Sequence, residues 1–234
     1  MTTWKQKRFW TAVSVTESAG RFAVELDGRS VKTPAKADLT LPTRAMAEAI
    51  AAEWRAQDGA VKPQTMPCTR SANAALDKVQ VQHSEVADML AEYGDADLLC
   101  YRADSPVELV QRQSEHWDPA LDWAASELKV RLQTRCGIVH QPQDVKSLQS
   151  LRARVQALSA FQLAAFHDLV SMSGSLVLGF AAAAGWRSAA EIWSLSRLDE
   201  TWQEEQWGPD EEAQAEAEIK RQAFLHAKRF YDFS

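Results

Sequence analysis

Residues 21–33 read RFAVELDGRSVKT and carry the strongest fold signal in the chain. Phe22, Val24 and Leu26 alternate with other residues at the period of two expected for a half-buried strand. Asp27-Gly28 separates this run from a second extended run. A two-residue Asp-Gly connection is typical of a β-hairpin whose turn requires positive φ at both central residues. The stretch therefore predicts an antiparallel hairpin.

The pattern extends this hairpin in both directions. Residues 8–15 are predicted to form a strand before it, and residues 39–41 a short strand after it. Together they predict a small antiparallel sheet over about residues 4–42. One helix follows with Thr43 as its cap, and a proline-containing connector at residues 62–67 marks the likeliest end of this region.

The rest of the chain has a helical pattern of about six helices. Capping boxes at Ser105, Ser159 and Ser188 mark three helix starts, and Asp118-Pro119 and Gly208-Pro209 mark two more. The third box opens a predicted helix on which Ile192, Leu195, Leu198 and Trp202 share a face. The predicted fold class is α+β. A small N-terminal antiparallel β domain with one helix, residues 1–66, precedes a larger all-α domain, residues 67–234.

Composition excludes several classes of function. The 234 residues carry a net charge of −6, which argues against binding to nucleic acid or to an anionic membrane surface. The charge-free stretch 169–186 contains several serines and glycines, so it predicts a buried core helix rather than a membrane span. We expect no cofactor, metal or small-molecule substrate, because the five histidines are scattered and no catalytic motif is present.

Cysteine usage and the start of the chain predict a cellular location. The three cysteines contain no CxxC pair, which suits a reducing compartment. The first residues lack the features of a signal or transit peptide. We therefore expect a soluble, cytoplasmic protein, or one in the mitochondrial matrix if a presequence has been removed.

An acidic segment carries the main hint of function. Between Leu198 and Ile219 there are nine carboxylates and no lysine or arginine. Asp210, Glu211 and Glu212 follow Gly208-Pro209, where the free N–H groups at a helix start favour carboxylates. This local explanation leaves out the four carboxylates on the preceding helix, Asp199, Glu200, Glu204 and Glu205. These repel one another, and a basic partner surface remains one explanation for them.

Two tryptophans lie within this acidic segment. Trp202 falls on the apolar face of its helix, so core packing and partner contact are equally good interpretations. Trp207 lies further along, next to Gly208. Tryptophan is enriched among the residues that dominate binding energy, which makes both residues candidates for contact with a partner.

Short segments spread over nearly the whole chain resemble one known family. They are Arg8-Phe9-Trp10, Leu26-Asp27-Gly28-Arg29, Lys32-Thr33-Pro34, Leu39-Thr40-Leu41-Pro42, Ala51 to Gln57, Met66-Pro67, Thr69-Arg70, Ala72-Asn73, Tyr101-Arg102, Trp117-Asp118-Pro119, Val177-Leu178-Gly179, Ser196 to Glu200, and Trp207-Gly208 followed by Glu211, Glu212 and Ala213. In this order they resemble the assembly chaperones that hold the α subunit of the soluble catalytic head of F-type ATP synthase before it joins the β subunit.

The resemblance implies a fold, a partner and a sensitive site. It implies a small β domain before a larger helical domain, binding of the unassembled α subunit until the β subunit replaces it, and no catalysis. It also implies a functionally sensitive glutamate soon after Trp207-Gly208, which either Glu211 or Glu212 could be. The predicted partner-binding residues are Glu211, Glu212, Trp207, Asp210, Glu204, Glu205 and Trp202.

Two other functions remain open at this point. A hydrolase could use two carboxylates from residues 199–212, provided that one has a raised pKa and both line a cleft. An adaptor for a different basic client protein would also explain an acidic surface.

Overall fold

The computed structural model describes residues 7–137 and 139–234, and contacts group them into two compact units. The first unit contains the described residues up to Gln82 together with Ser159–Ala164 and Arg229–Ser234. The second contains His83–Leu158 and Ala165–Lys228. The domain limits drawn from the sequence, residues 1–66 and 67–234, stay a prediction.

The first unit contains the predicted antiparallel sheet, in the order β1 (Val13–Ser18), β2 (Arg21–Leu26) and β3 (Arg29–Ser30). Asp27 and Gly28 have φ values of 49° and 76°, so the two-residue turn with two positive φ angles is confirmed. The predicted start of the sheet at residues 4–6 lies outside the described residues.

Two strand limits differ from the prediction. The strand expected over residues 8–15 begins only at Val13, because the N–H groups of Thr11 and Ala12 donate to the Asp27 carboxylate at 2.8–3.2 Å. The segment expected as a strand over residues 39–41 forms a single bridge, between Phe22 and Leu41. In both places the regular backbone pairing of the sheet is shorter than predicted.

Helix α1 (Arg44–Arg55) packs on this sheet and organises the next helix. The Thr43 hydroxyl accepts a hydrogen bond from the Met46 N–H at 3.2 Å, as predicted for the cap. On the same helix, the Glu53 carboxylate accepts from the backbone N–H groups of Cys68 at 2.6 Å and Thr69 at 2.8 Å. These donors are the otherwise unsatisfied N–H groups at the start of α2 (Pro67–Ala74), so Glu53 caps that helix from a distance.

Helices make up most of the second unit, and α6 and α10 contribute residues to both units. After α2, the α-helices are α3 (His83–Ala91), α4 (Val107–Trp123), α5 (Val145–Gln156), α6 (Ala160–Ser173), α7 (Leu176–Ala183), α8 (Ala189–Ser196), α9 (Leu198–Trp207) and α10 (Glu211–Asp232). Ala75–Val79 and Ala124–Leu128 are π-helical, and Pro63–Thr65, Glu92–Gly94 and Leu98–Cys100 form 3₁₀ turns. Strands β4 (Tyr101–Arg102) and β5 (Arg135–Cys136) pair in parallel. The described residues thus form ten α-helices within an α+β fold, more than the sequence predicted.

The predicted helix start at Pro119 was wrong, whereas the start at Ser105-Pro106 was correct to within one residue but lacks the predicted capping box. Pro119 lies inside α4, because the Asp118 carboxylate accepts from the Arg102 guanidinium at 2.8 Å instead of capping a new helix. Pro106 precedes α4 as its N-cap residue, and the Ser105 hydroxyl donates to Asp104 rather than completing a capping box. The boxes at Ser159 and Ser188 are confirmed.

Two predicted continuous helices are each broken into two. The apolar stretch 169–186 is divided at Gly174, whose φ of 68° ends α6, and Ser175 then caps α7 through the Leu178 N–H. Seven residues of α7 are buried, in agreement with a core position. Arg197 separates α8 from α9 in the helix predicted to run from Ser188 to Trp202. Over the ranges that the structure describes, no helix is long and apolar enough to cross a membrane.

A buried aspartate that the sequence analysis missed fixes the start of α7. The Asp97 carboxylate accepts hydrogen bonds from the Ser175 hydroxyl at 2.7 Å, the Val177 N–H at 3.0 Å and the Leu99 N–H at 3.0 Å. Its complete burial disfavours the charged form and raises the pKa of Asp97 from 3.8 to about 6, although these donors act in the opposite direction.

We expect Asp97→Asn to change the pH dependence of folding stability. The pKa of Asp97 is raised from 3.8 to about 6 in the folded chain, so its contribution is fully present below pH 3.8 and is lost as the pH rises through about 6. Between about pH 5 and about pH 7.5, the wild-type free energy of unfolding should therefore fall by about 1 kcal/mol relative to the variant.

Urea unfolding at several pH values measures this difference. The exposed Asp122→Asn provides a control with the same chemical change. A wild-type free energy of unfolding that stays constant relative to that of Asp97→Asn, or that rises relative to it with increasing pH, would contradict the prediction.

Candidate functional site

The acidic segment forms two consecutive helices that we call the acidic hairpin, residues 198–219. It comprises α9, the connection at residues 208–210, and the first half of α10. Gly208 allows the connection because its φ of 92° is unfavourable for residues with a side chain. The Gln214 amide then donates to the Glu204 carboxylate at 3.3 Å, which joins α10 to α9.

Helix α4 provides the platform on which the acidic hairpin is placed. The fully buried Trp117 donates from its ring N–H to the Leu195 carbonyl at 2.8 Å, at the end of α8. Gln113 is 2% exposed and donates from its amide nitrogen to the Asp199 carboxylate at 2.8 Å. Its amide oxygen accepts from the Ala103 N–H at 2.9 Å, so both ends of this side chain are satisfied.

Arg112, one residue before Gln113, makes two contacts with α9. Its guanidinium lies 4.9 Å from the centre of the Trp202 ring and forms an ion pair with Glu205 at 2.7 Å. Trp202 is therefore half-buried beneath an arginine, and its ring faces the protein rather than only solvent. A cation above a tryptophan face stabilises by about 0.5–1 kcal/mol at such partly exposed sites.

The four carboxylates of α9 all have partners within the chain. Asp199 is bound by Gln113, Glu200 pairs with Arg197 at 2.6 Å, Glu204 accepts from Gln214, and Glu205 pairs with Arg112. These partners offset the repulsion expected among the four carboxylates, so their clustering does not by itself require a basic partner surface. Arg197 lies only three residues before Glu200, but the other partners come from α4 and α10 and could not be identified from spacing within α9. Each partly exposed ion pair contributes at most about 1 kcal/mol.

Carboxylates near the start of α10 divide into two groups. Asp210 accepts from the N–H groups of Glu212 at 2.9 Å and Ala213 at 3.1 Å, so it caps the helix and lies before the first turn, which begins with Glu211. Glu218 pairs with Arg221 at 3.1 Å, and its hydrogen bond from Gln222 holds the pKa of Glu218 below its usual value. In contrast, the side chains of three exposed residues form no hydrogen bond or ion pair with any described residue: Glu211, Glu212 and Glu216.

Trp207 is the most exposed large apolar side chain among the described residues. It ends α9 with 87% of its surface accessible to water, next to the turn that leads to Glu211 and Glu212. We call Trp207, Glu211, Glu212 and Glu216 the outward patch. The predicted binding residues are thus separated by their surroundings: Trp202, Glu204, Glu205 and Asp210 make contacts within the chain, while Trp207, Glu211 and Glu212 face solvent.

No chemistry based on a metal or a disulfide is evident in the described ranges. They contain no cluster of three or more histidine, cysteine or acidic side chains suited to a metal ion. The three cysteines are free, and burial raises the pKa of Cys68 and of Cys100 to about 12. The features of the acidic hairpin that are free to contact a partner are the exposed Trp207 ring and the carboxylates of Glu211, Glu212 and Glu216.

An exposed tryptophan beside charged groups, carried on a set of helices, is typical of proteins that bind other proteins. The profile of the family described as ATP12 chaperone protein matches residues 7–125. The chain belongs to the ATP12 chaperone family. The predicted resemblance to ATP synthase assembly chaperones is confirmed, and the hydrolase alternative is set aside because this is a family of chaperones rather than enzymes.

Relatives with known structures cover almost the whole chain. The crystal structure of Atp12 from Paracoccus denitrificans is 48% identical, covers 99% of each chain and has a TM-score of 0.96. Atu1473 from Agrobacterium tumefaciens is 37% identical, with 97% of this chain and 85% of that one covered, and a TM-score of 0.91. The mitochondrial protein atp12 of Schizosaccharomyces pombe is 27% identical over 219 residues, which is 88% of this chain and 75% of the relative.

We expect Arg112→Gln to weaken the placement of the acidic hairpin without unfolding the chain. The free energy of unfolding should fall by about 1–2 kcal/mol, because the ion pair with Glu205 and the contact with Trp202 are lost together. In a Glu205→Gln background the same substitution should cost less, since one of the two interactions is already absent.

Urea unfolding of the two single variants and the double variant measures this coupling. Arg131→Gln, an exposed arginine outside the hairpin, should change the unfolding free energy by less than about 0.5 kcal/mol. Strictly additive costs at residues 112 and 205 would show that the ion pair contributes nothing.

Proposed function

We propose that the chain binds the unassembled α subunit of the F-type ATP synthase catalytic head and keeps it from aggregating until the β subunit takes its place. Membership of the ATP12 chaperone family supports an assembly role. The outward patch is the observation that carries the proposal: Trp207, Glu211, Glu212 and Glu216 are exposed, and their side chains have no polar partner among the described residues.

The two components of the outward patch would serve different stages of binding. Carboxylates at the edge of an interface attract a basic surface and chiefly raise the association rate and the selectivity. The Trp207 ring would lose water-exposed apolar surface in the complex, and buried tryptophans often contribute most of the binding energy. One aromatic anchor with a few exposed charges is compatible with release, because the β subunit needs to outcompete only a limited interface.

The remaining predicted residues would act by holding the patch in place. Asp210 caps α10 and so positions Glu211 and Glu212, while Glu204 and Glu205 attach α9 to α10 and to α4. Trp202 lies against Arg112 in the same attachment. We place this activity in the bacterial cytoplasm, supported by the relatives from Paracoccus and Agrobacterium.

We expect two changes in the outward patch to reduce affinity for purified α subunit in different ways. Glu211→Gln with Glu212→Gln should weaken binding about tenfold, mainly through a slower association rate, and should make that rate less sensitive to salt. Trp207→Ala should weaken binding at least tenfold, mainly through faster dissociation.

Binding kinetics with immobilised chaperone and purified α subunit measure both effects. Asp122→Asn with Glu127→Gln removes the same charge from exposed positions of the segment 107–128 and should leave binding unchanged. Addition of β subunit should then release α subunit from the wild-type complex. The proposal fails if the α subunit stays monodisperse alone, if β displaces nothing, or if patch and control variants bind alike. Capture of another basic protein in place of the α subunit would instead favour the adaptor function.

A further inference from the structure

A groove of about 550 Å³ lies within the second unit, bordered by α4, α8, α9 and α10. It opens on the side of α9 that carries Leu198 and Thr201, whereas Trp202 lines a separate, smaller pocket of about 290 Å³. Buried Trp193 and Leu198 provide an apolar lining. The volume is in the range of sites that hold a small ligand or a few side chains.

The polar lining of this groove carries both signs of charge. Arg112, Arg197 and Arg221 line it together with two glutamates, Glu204 and Glu218. His116 also lines the groove and makes no hydrogen bond or ion pair with any residue that the structure describes. Each of these arginines is paired with a carboxylate, so what the groove offers to a further ligand is unused guanidinium N–H donors rather than an excess of positive charge.

The three arginines have hydrogen-bonding capacity left over. Each contacts its carboxylate through a single guanidinium nitrogen: Nη1 of Arg112 with Glu205, of Arg197 with Glu200, and of Arg221 with Glu218. A guanidinium has five N–H donors arranged in a fork that matches a carboxylate. Their side chains are only 25–37% exposed, so a further anion would be bound in partial shelter from water.

We propose that this groove binds an acidic side chain of the client protein, with a neighbouring apolar side chain against Trp193 and Leu198. The inference rests on the proposed chaperone function and adds that the client segment carries both signs of charge. Basic groups would meet the outward patch, and an isolated aspartate or glutamate would reach Arg112, Arg197 and Arg221. The nearby glutamates would repel a polyphosphate or a nucleic acid more strongly than a single carboxylate, because the repulsion grows with the number of negative charges.

A cysteine footprint at Thr201 tests whether the client occupies the groove. Thr201 is exposed and lines the groove, and Gln149 on α5 provides an exposed control position. Each would be changed to cysteine in a Cys136→Ser background, since Cys68 and Cys100 are buried and their raised pKa values keep them unreactive. Saturating purified α subunit should slow alkylation at Thr201→Cys at least tenfold and leave Gln149→Cys unchanged.

Arginine variants test the chemistry of the groove separately from its occupancy. Arg221→Gln should weaken α-subunit binding about tenfold, Arg221→Lys should weaken it less, and Arg131→Gln should have no effect. The groove assignment would be overturned if the α subunit neither protects Thr201→Cys nor binds Arg221→Gln more weakly. If the outward-patch variants still weaken binding in that case, the proposed chaperone function stands. Absence of any α-subunit binding to the wild type would overturn both.

Phosphate distinguishes a client carboxylate from a free anion in the same groove. Millimolar inorganic phosphate should neither protect Thr201→Cys nor compete with the α subunit, because the adjacent glutamates disfavour a multiply charged ion. Protection by phosphate equal to that by the α subunit would identify a phosphate site and contradict the proposal.

Discussion

The hydrogen bond from the buried Trp117 ring to the Leu195 carbonyl at 2.8 Å determines where the acidic hairpin can lie. It fixes the end of α8 against α4, and α9 begins three residues later. Gln113 and Arg112 then bind Asp199 and Glu205 on successive turns of α9. A buried N–H left without an acceptor would cost about 1–3 kcal/mol, so few other placements of α8 against α4 are possible. The acidic hairpin is thus a surface positioned by the core rather than a mobile acidic tail.

Several segments that carry the family resemblance have a structural explanation. Asp27 joins the sheet turn to the preceding chain, and Glu53 caps α2 from α1. Arg102 lies over the Trp117 ring at 5.3 Å and pairs with Asp118 at 2.8 Å, which joins two separate segments of the resemblance. These polar groups satisfy specific backbone or charged partners. Substituting them would impair folding first and client binding only indirectly.

Local signals in the sequence predicted local structure well. The Asp27-Gly28 turn, the Thr43 cap and the Ser188 capping box each depend on residues within four positions of one another. The sequence also predicted the α+β class, because the hydrophobic period changes from two to the helical value after the sheet. Helix breaks were harder to predict, since Gly174 interrupts an otherwise uniform apolar run and Pro119 does not end its helix.

The site could be predicted only in part, for the same physical reason. The outward-facing Trp207, Glu211 and Glu212 lie close together in the sequence. The groups that organise the hairpin lie far from it: Gln113 is 86 positions from Asp199, and Asp97 is 78 positions from Ser175. Such distant pairs leave no periodic pattern in the sequence. The sequence therefore left the carboxylates of α9 without a local explanation, whereas in the structure the carboxylates without a side-chain partner are on α10.

The central claim is that the outward patch of the acidic hairpin contacts the α subunit. Hydrogen–deuterium exchange of the wild-type chain, alone and in complex with purified α subunit, tests it most directly. We expect slower amide exchange across residues 204–216 in the complex, with little change along α5, which serves as an internal reference. Protection confined to the first unit, with unchanged exchange at residues 204–216, would contradict it.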